Sequence, residues 1–220
     1  MLGAFDIIGP IMIGPSSSHT AGAVRIGKYA HLILGEKPVK AKIIFYGSFA
    51  KTYRGHGTDK AIIAGLLGMN TDDKRICNSL EIAKEEGLEY TFDTMVLEGI
   101  HPNTADIELE GESGRKVNVR GSSVGGGNIL MNKVNGADVM ISGKSAALII
   151  THRDIPGMVA KVSNVLGNNG ININNFALSR EEKGGTAIMT IEIDGGIGPS
   201  IQRIIQKIPD VISVSILNAL

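Results

Sequence analysis

The sequence has no tryptophan, and aromatic residues make up only 4% of it. Its core must therefore be built from Ile, Val, Leu, Met and Ala. It has one cysteine, Cys77. That excludes an intramolecular disulfide and a cysteine-rich metal site within this chain alone, and it points to a reducing compartment. It has no net charge, because 22 Lys and Arg balance 22 Asp and Glu. That balance argues against a strongly basic nucleic-acid binder and against an acidic tail protein. No apolar run approaches the roughly 18 residues a membrane helix needs, so no membrane span is expected. The opening MLGAFDIIGPIMIG lacks a basic stretch and its apolar run is broken, which does not read as a signal peptide. A cytoplasmic protein is the expectation.

What is present fits a folded chain. Hydrophobic residues are 43% and charged residues 20%, a balance unlike that of disordered segments. A length of 220 residues suits one large domain or two small ones. The 29 glycines imply tight turns, or backbones that approach something closely.

The first block reads as α+β. Ala21, Val24, Tyr29, Leu32 and Ile33 give residues 20–34 an apolar helical face, and Gly35 stops it. Residues 39–46 suit a strand, and 47–57 are punctuated by glycines and basic residues. Thr58 is expected to cap a helix running to Met69, with Asp59 in its first turn. A helix over 73–86 ends at Gly87, and the strand LEYTFD follows. Alternation over 104–110 and 116–120, split by GESG, predicts a hairpin. A glycine turn at 125–127 and short apolar runs complete the block. From about Ser145 the order changes to strand, helix, strand, strand, helix, strand. That βαββαβ pattern predicts an antiparallel four-stranded sheet with both helices on one face. The boundary is placed near 143–146, where GKS interrupts two apolar runs.

Three constellations carry candidate chemistry. In Gly14-Pro15-Ser16-Ser17-Ser18-His19-Thr20-Ala21-Gly22, hydroxyls and free N–H groups precede a helix, an arrangement suited to a carboxylate or phosphate. His19 adds proton exchange near neutral pH. The plainer alternative is a well-capped helix with a solvated histidine. In Lys51–Asp59, His56 stands between glycines just before a helix, where it can act as a general base. A mobile surface turn is the alternative. In Ser122–Asn128, Gly125, Gly126 and Gly127 can form an anion-binding nest or a hinge between strands. No HExxH, paired CxxC or dinucleotide fingerprint occurs. Cys77 is expected to be a buried small hydrophobe within a helix.

Residues 1 to about 143 resemble the beta chain of bacterial iron–sulfur-dependent L-serine dehydratases, through GPSSSHTAG at 14–22, GHGTDKA at 55–61 and SVGGG at 123–127. Residues 146–220 resemble an ACT domain, a ferredoxin-like amino-acid-binding module. The resemblance implies conversion of L-serine to pyruvate and ammonium. It implies a [4Fe–4S] cluster held by the cysteines of a separate alpha chain, with no metal held in this one. It also implies an N-terminal fold similar to the intervening substrate-binding domain of phosphoglycerate dehydrogenases. His56 is then the first candidate for the base that removes the Cα proton, and His19 the second. Ser16, Ser18 and Thr20 would grip the carboxylate, while Gly125, Gly126 and Gly127 shape the pocket or face the alpha chain. In the ACT block, His152, Asp154, Gly157 and Asn172 are the candidate regulatory ligand site, for L-serine or a monovalent cation. Exposed ACT sheet edges imply a beta–beta dimer.

Other readings compete. A non-catalytic amino-acid sensor explains the ACT block equally well but leaves both histidine loops without a task. A serine hydrolase using Ser16 or Ser18 with His19 or His56 lacks a nucleophile elbow. A purely structural role is the plainest alternative.

Overall fold

The computed structural model describes residues 11–180 and 182–219. Most of the segment read above against a signal peptide, residues 1–10, lies outside the described residues. The chain divides into two compact units, Met1–Asn135 and Gly136–Leu220. Among the described residues no helix is long and apolar enough to cross a membrane.

The first unit is α+β. A wide helical turn over Ser17–Ala21 leads into α1 (Gly22–Leu34), which Gly35 ends in the left-handed region at φ 77°. Then come β1 (Pro38–Tyr46), the short α2 (Gly47–Thr52), α3 (Thr58–Leu66), α4 (Ser79–Glu85) and β2 (Glu89–Met95). Strands β3 (Thr104–Gly111), β4 (Lys116–Gly125) and β5 (Asn128–Val134) follow as hairpins. Laterally the strands lie in the order β2-β1-β3-β4-β5. Strand β1 is parallel to β2, with Tyr46 opposite Met95, and antiparallel to β3, with Phe45 opposite Ala105. One topological consequence positions the site. The C-terminal ends of β1, β2 and β4 and the start of β3 share one end of the sheet.

One sheet face is apolar, with Ile43, Phe45, Ile107, Val119 and Met131 fully buried. Helices α1 and α3 lie tightly together. A Cβ on Gly27 would come 2.2 Å from the Ile62 carbonyl oxygen, and one on Gly65 would come 2.1 Å from that of Val24. The other face carries cross-strand pairs such as Lys40–Glu89 at 3.8 Å and Lys42–Glu108 at 3.7 Å. These pairs are exposed and contribute little each.

Two local expectations are corrected. Thr58 is not a cap: Gly57, at φ 68°, holds that position, and Thr58 is the first helical residue with its hydroxyl buried. Cys77 is exposed on the turn Lys74–Asn78, with Sγ 3.1 Å from the Lys74 carbonyl oxygen. Ile76, its neighbour, takes the buried side of that turn.

The second unit begins with β6 (Ala137–Ile141) and continues with β7 (Ala146–Arg153), α5 (Met158–Asn168), β8 (Ile173–Arg180), β9 (Thr186–Ile193), α6 (Pro199–Gln206) and β10 (Val211–Leu217). The sheet order β10-β7-β9-β8 is antiparallel throughout, as the βαββαβ pattern predicted. Val162 and Leu166 of α5 and Ile201 and Ile205 of α6 join Leu148, Ile150 and Ile191 in one core. Each helix thus contributes an i, i+4 apolar pair to the same sheet face.

Candidate active site

The scarce aromatics are concentrated at the site. Phe45 stacks on Tyr53 with ring centroids 5.0 Å apart, and on Phe92 at 5.9 Å. Phe49 meets Phe45 edge-on at 6.1 Å. Four of the nine Phe and Tyr residues therefore form one aromatic floor, with Phe49 contributed by α2 itself. Such pairs contribute about 0.5–1.5 kcal/mol each beyond simple burial.

His19 rests on that floor, its ring 5.2 Å from Phe49 and edge-on to it. The His56 ring lies 4.9 Å from the His19 ring. The two histidines stand 37 positions apart in sequence and are brought together by the turn before α1 and the loop before α3. Ser18 Oγ is 3.1 Å from His19 Nδ1 and Ser16 Oγ is 3.5 Å from it. Ser16 also accepts the His19 backbone N–H at 3.2 Å, which fixes the turn. On the far side of the ring, Ser48 Oγ is 3.1 Å from Nε2. Burial, and then the nearby charge of His56, hold the His19 imidazole below its ordinary pKa. Asp59, one turn into the same motif, has its carboxyl raised chiefly by burial.

The third motif reaches the first through Ser123. A Cβ on Gly22 would lie 2.1 Å from Ser123 Oγ, so only glycine lets α1 come this close to β4. Gly126 and Gly127, at φ 60° and 77°, make the two-residue turn of the β4–β5 hairpin. Arg25 Nη1 donates to the Gly127 carbonyl at 2.7 Å and ties this turn to α1. The hydroxyls of Thr20, Thr58 and Ser123 are buried without a hydrogen-bond partner among the described residues. Each such group costs about 1–3 kcal/mol. One falls in each of the three motifs, a concentration expected of a site kept for function rather than stability. The Thr20 hydroxyl faces Gly14, whereas Ser16, Ser18 and the two rings are partly open to solvent or exposed.

Sequence reasoning missed Ser48 and α2. A six-residue helix leaves almost no periodic signal. What could have marked it is the Gly-Ser pair directly after a strand.

In the second unit His152, Asp154 and Gly157 share the end of β7 and its connection to α5, and Asn172 lies apart from them. His152 is buried, its Nδ1–H donating to the Arg153 carbonyl at 2.7 Å, while Nε2 has no partner among the described residues. Asp154 accepts from the Gly184 N–H at 3.0 Å and from Arg180 Nη1 at 2.7 Å, contacts that in that order hold its carboxyl below the usual range. Gly157 caps α5. Asn172 donates to Asp194 at 2.7 Å. Asn172 precedes β8 and Arg180 ends it, so Asn172 and Asp154 are separated by a strand of about 25 Å.

Comparison with known proteins agrees with this division. The serine dehydratase beta chain family matches residues 3–134, and the ACT domain family matches residues 146–210. A "Probable L-serine dehydratase, beta chain" of Bacillus subtilis (strain 168) is 44% identical over 211 residues, 96% of each chain. An "L-serine dehydratase, beta chain" of Peptoniphilus asaccharolyticus is 36% identical over 203 residues, 92% of this chain and 91% of that one. A D-3-phosphoglycerate dehydrogenase of Bacillus subtilis (strain 168) is 25% identical over 197 residues, 89% of this chain but 37% of that protein. With the paired histidines, the hydroxyl-rich turn and these full-length matches in hand, the chain belongs to the serine dehydratase beta chain family and carries a C-terminal ACT domain.

Proposed function

We propose that this chain supplies the substrate-binding and proton-handling residues of an enzyme that converts L-serine to pyruvate and ammonium. Its partner is an alpha chain holding a [4Fe–4S] cluster. The observation that carries the reading is the contact between His19 and His56 over a turn rich in hydroxyls. This chain's own residues do not fit the cluster. Its one cysteine is exposed on a turn, and no group of three His, Cys, Asp or Glu among the described residues can hold a metal ion. That chemistry belongs to the partner.

The reaction removes the Cα proton and the Cβ hydroxyl of L-serine as water. The resulting 2-aminoacrylate tautomerises and hydrolyses to pyruvate and ammonium. Both nitrogens of His19 are engaged by seryl hydroxyls, whereas the His56 side chain is exposed. His56 is therefore the base for the Cα proton, and His19 is the neutral neighbour that orients it. Ser16 and Ser18 face the substrate carboxylate, with Thr20 behind them. Gly125, Gly126 and Gly127 bound the pocket on the β4 side. The match to phosphoglycerate dehydrogenase supports a likeness of the first domain, residues 1–143, to that enzyme's intervening substrate-binding domain.

The ACT domain, residues 146–220, is the regulatory half. Its edge strand β8 leaves Phe176 and Leu178 exposed, which favours side-by-side pairing of two copies. Such pairing would set Asn172 of one copy near His152, Asp154 and Gly157 of the other. L-serine is the proposed ligand there.

Anaerobic co-expression with a cysteine-rich alpha chain tests the reading. A brown complex that forms pyruvate from L-serine, with neither chain active alone, is the expected result. Tight L-serine binding by this chain with no iron-bearing partner would favour the non-catalytic sensor.

A further inference from the structure

Helix α2 touches both histidines. Ser48, its second residue, places Oγ 3.1 Å from His19 Nε2. Thr52, its last, accepts the His56 backbone N–H at 3.0 Å. Between them Phe49 is fully buried and presents its ring to His19. The helix is itself fixed to the sheet end. The Ser48 N–H donates to the Pro102 carbonyl at 2.7 Å, and the Thr52 hydroxyl donates to the Ser48 carbonyl at 2.8 Å. Gly47, at φ 53°, makes this seat possible, since a Cβ there would lie 2.7 Å from Pro102 Cα. Glycine is required twice over, for the backbone conformation and for the close approach.

We propose that Ser48 is a positioning residue that holds the His19 ring against His56, so that the base works beside a fixed imidazole. This rests on the reading of the pair given under Proposed function. Ser18 belongs to the same short turn as His19 and moves with it. A ring anchored only through Ser18 can still turn relative to the rest of the site. Ser48 is 29 positions away and tied through Pro102 to the sheet, so it alone of the two refers the ring to the scaffold. A hydroxyl can donate or accept, so the contact survives whichever ring nitrogen carries the proton. Misplacing a catalytic group by about 1 Å costs up to about 100-fold in rate.

Three variants test this: Ser48→Ala, Ser48→Thr and Gly47→Ala. Two readouts are taken. The first is histidine-selective NMR of the full chain, following the His19–His56 ring contact and the His19 titration. The second is kcat and KM for L-serine in the assembled alpha–beta complex. Ser48→Ala should lose the ring contact and shift the His19 titration towards its ordinary value. It should lower kcat about 10- to 100-fold while KM stays within about threefold. Ser48→Thr, which keeps a hydroxyl, should recover most of the loss. Gly47→Ala keeps the hydroxyl but unseats it, and should reproduce Ser48→Ala; if that chain does not fold, the Ala and Thr pair decides. An unchanged ring contact or an unchanged kcat in Ser48→Ala overturns the proposal. Failure of the dehydratase reading looks different: no complex with a cysteine-rich alpha chain would then turn over L-serine, while the ring contact would still respond to Ser48→Ala.

Discussion

The two units use glycine for opposite purposes. In the first, Gly65 lies inside α3 with no room for a side chain, because the Val24 carbonyl of α1 occupies the space. In the second, Gly167 lies inside α5 with nothing within 4 Å of where a Cβ would be. The polar groups divide the same way. In the first unit hydroxyls and imidazoles from distant segments converge, and several buried hydroxyls stay unpartnered. In the second, Asp154 is paired with Arg180 and Gly184, and Glu192 accepts from Ser142 and Asn175. Close packing in the first unit holds the three motifs of the candidate site together. In the second, Asp154 and Glu192 are partnered, His152 Nε2 is the buried exception among the described residues, and Asn172 lies apart from the other candidate ligand residues within one copy.

That contrast can be broken by substitution. Gly65→Ala should destabilise the chain by about 1–3 kcal/mol, because backbone rather than a flexible side chain must move. Gly167→Ala, the same change in the other unit, should have the opposite sign. With open space and an ordinary helical backbone it should stabilise by about 0.4–1 kcal/mol. Denaturant melts of both variants check the pair, and two shifts of the same sign would refute the distinction.

Titration sharpens the comparison. Because burial and His56 hold His19 below its ordinary value of 6.5, the folded chain takes up this proton only at lower pH than the unfolded chain does. His19 thus favours the folded state most above pH 6.5, and that contribution falls as pH drops towards the folded value. In His56→Gln the His19 titration, followed by NMR, should move up yet remain below 6.5, since burial is the larger cause and persists. The smallest effect is expected in the second unit. Arg180→Ala should raise the Asp154 titration without restoring the usual carboxylate value, because the Gly184 N–H remains. Carbon-detected NMR of the Asp154 carboxyl reads this directly.

Much of this was legible beforehand, for identifiable reasons. The βαββαβ order stood out because each helix places an apolar i, i+4 pair towards a sheet whose strands are bounded by glycine and asparagine turns. The α1 stop at Gly35 and the 104–120 hairpin were local signals of the same kind. The three motifs were legible one by one. Their convergence was not, since it depends on the β2-β1-β3-β4 order, which long-range packing sets. Ser48 stayed hidden because its role is visible only once Pro102 and His19 are in place. Thr58 was misread as a cap because Thr commonly caps, while Gly57 took the position in the left-handed conformation.

The most direct test sets the two units against each other in the assembled complex, with His56→Gln in one and His152→Gln in the other. The account predicts that His56→Gln lowers kcat for L-serine by about 10²- to 10⁴-fold with the cluster absorbance retained. His152→Gln should alter the response to L-serine and not the chemistry. Near-normal kcat in His56→Gln, or loss of turnover in His152→Gln alone, would contradict the assignment of chemistry to the first unit.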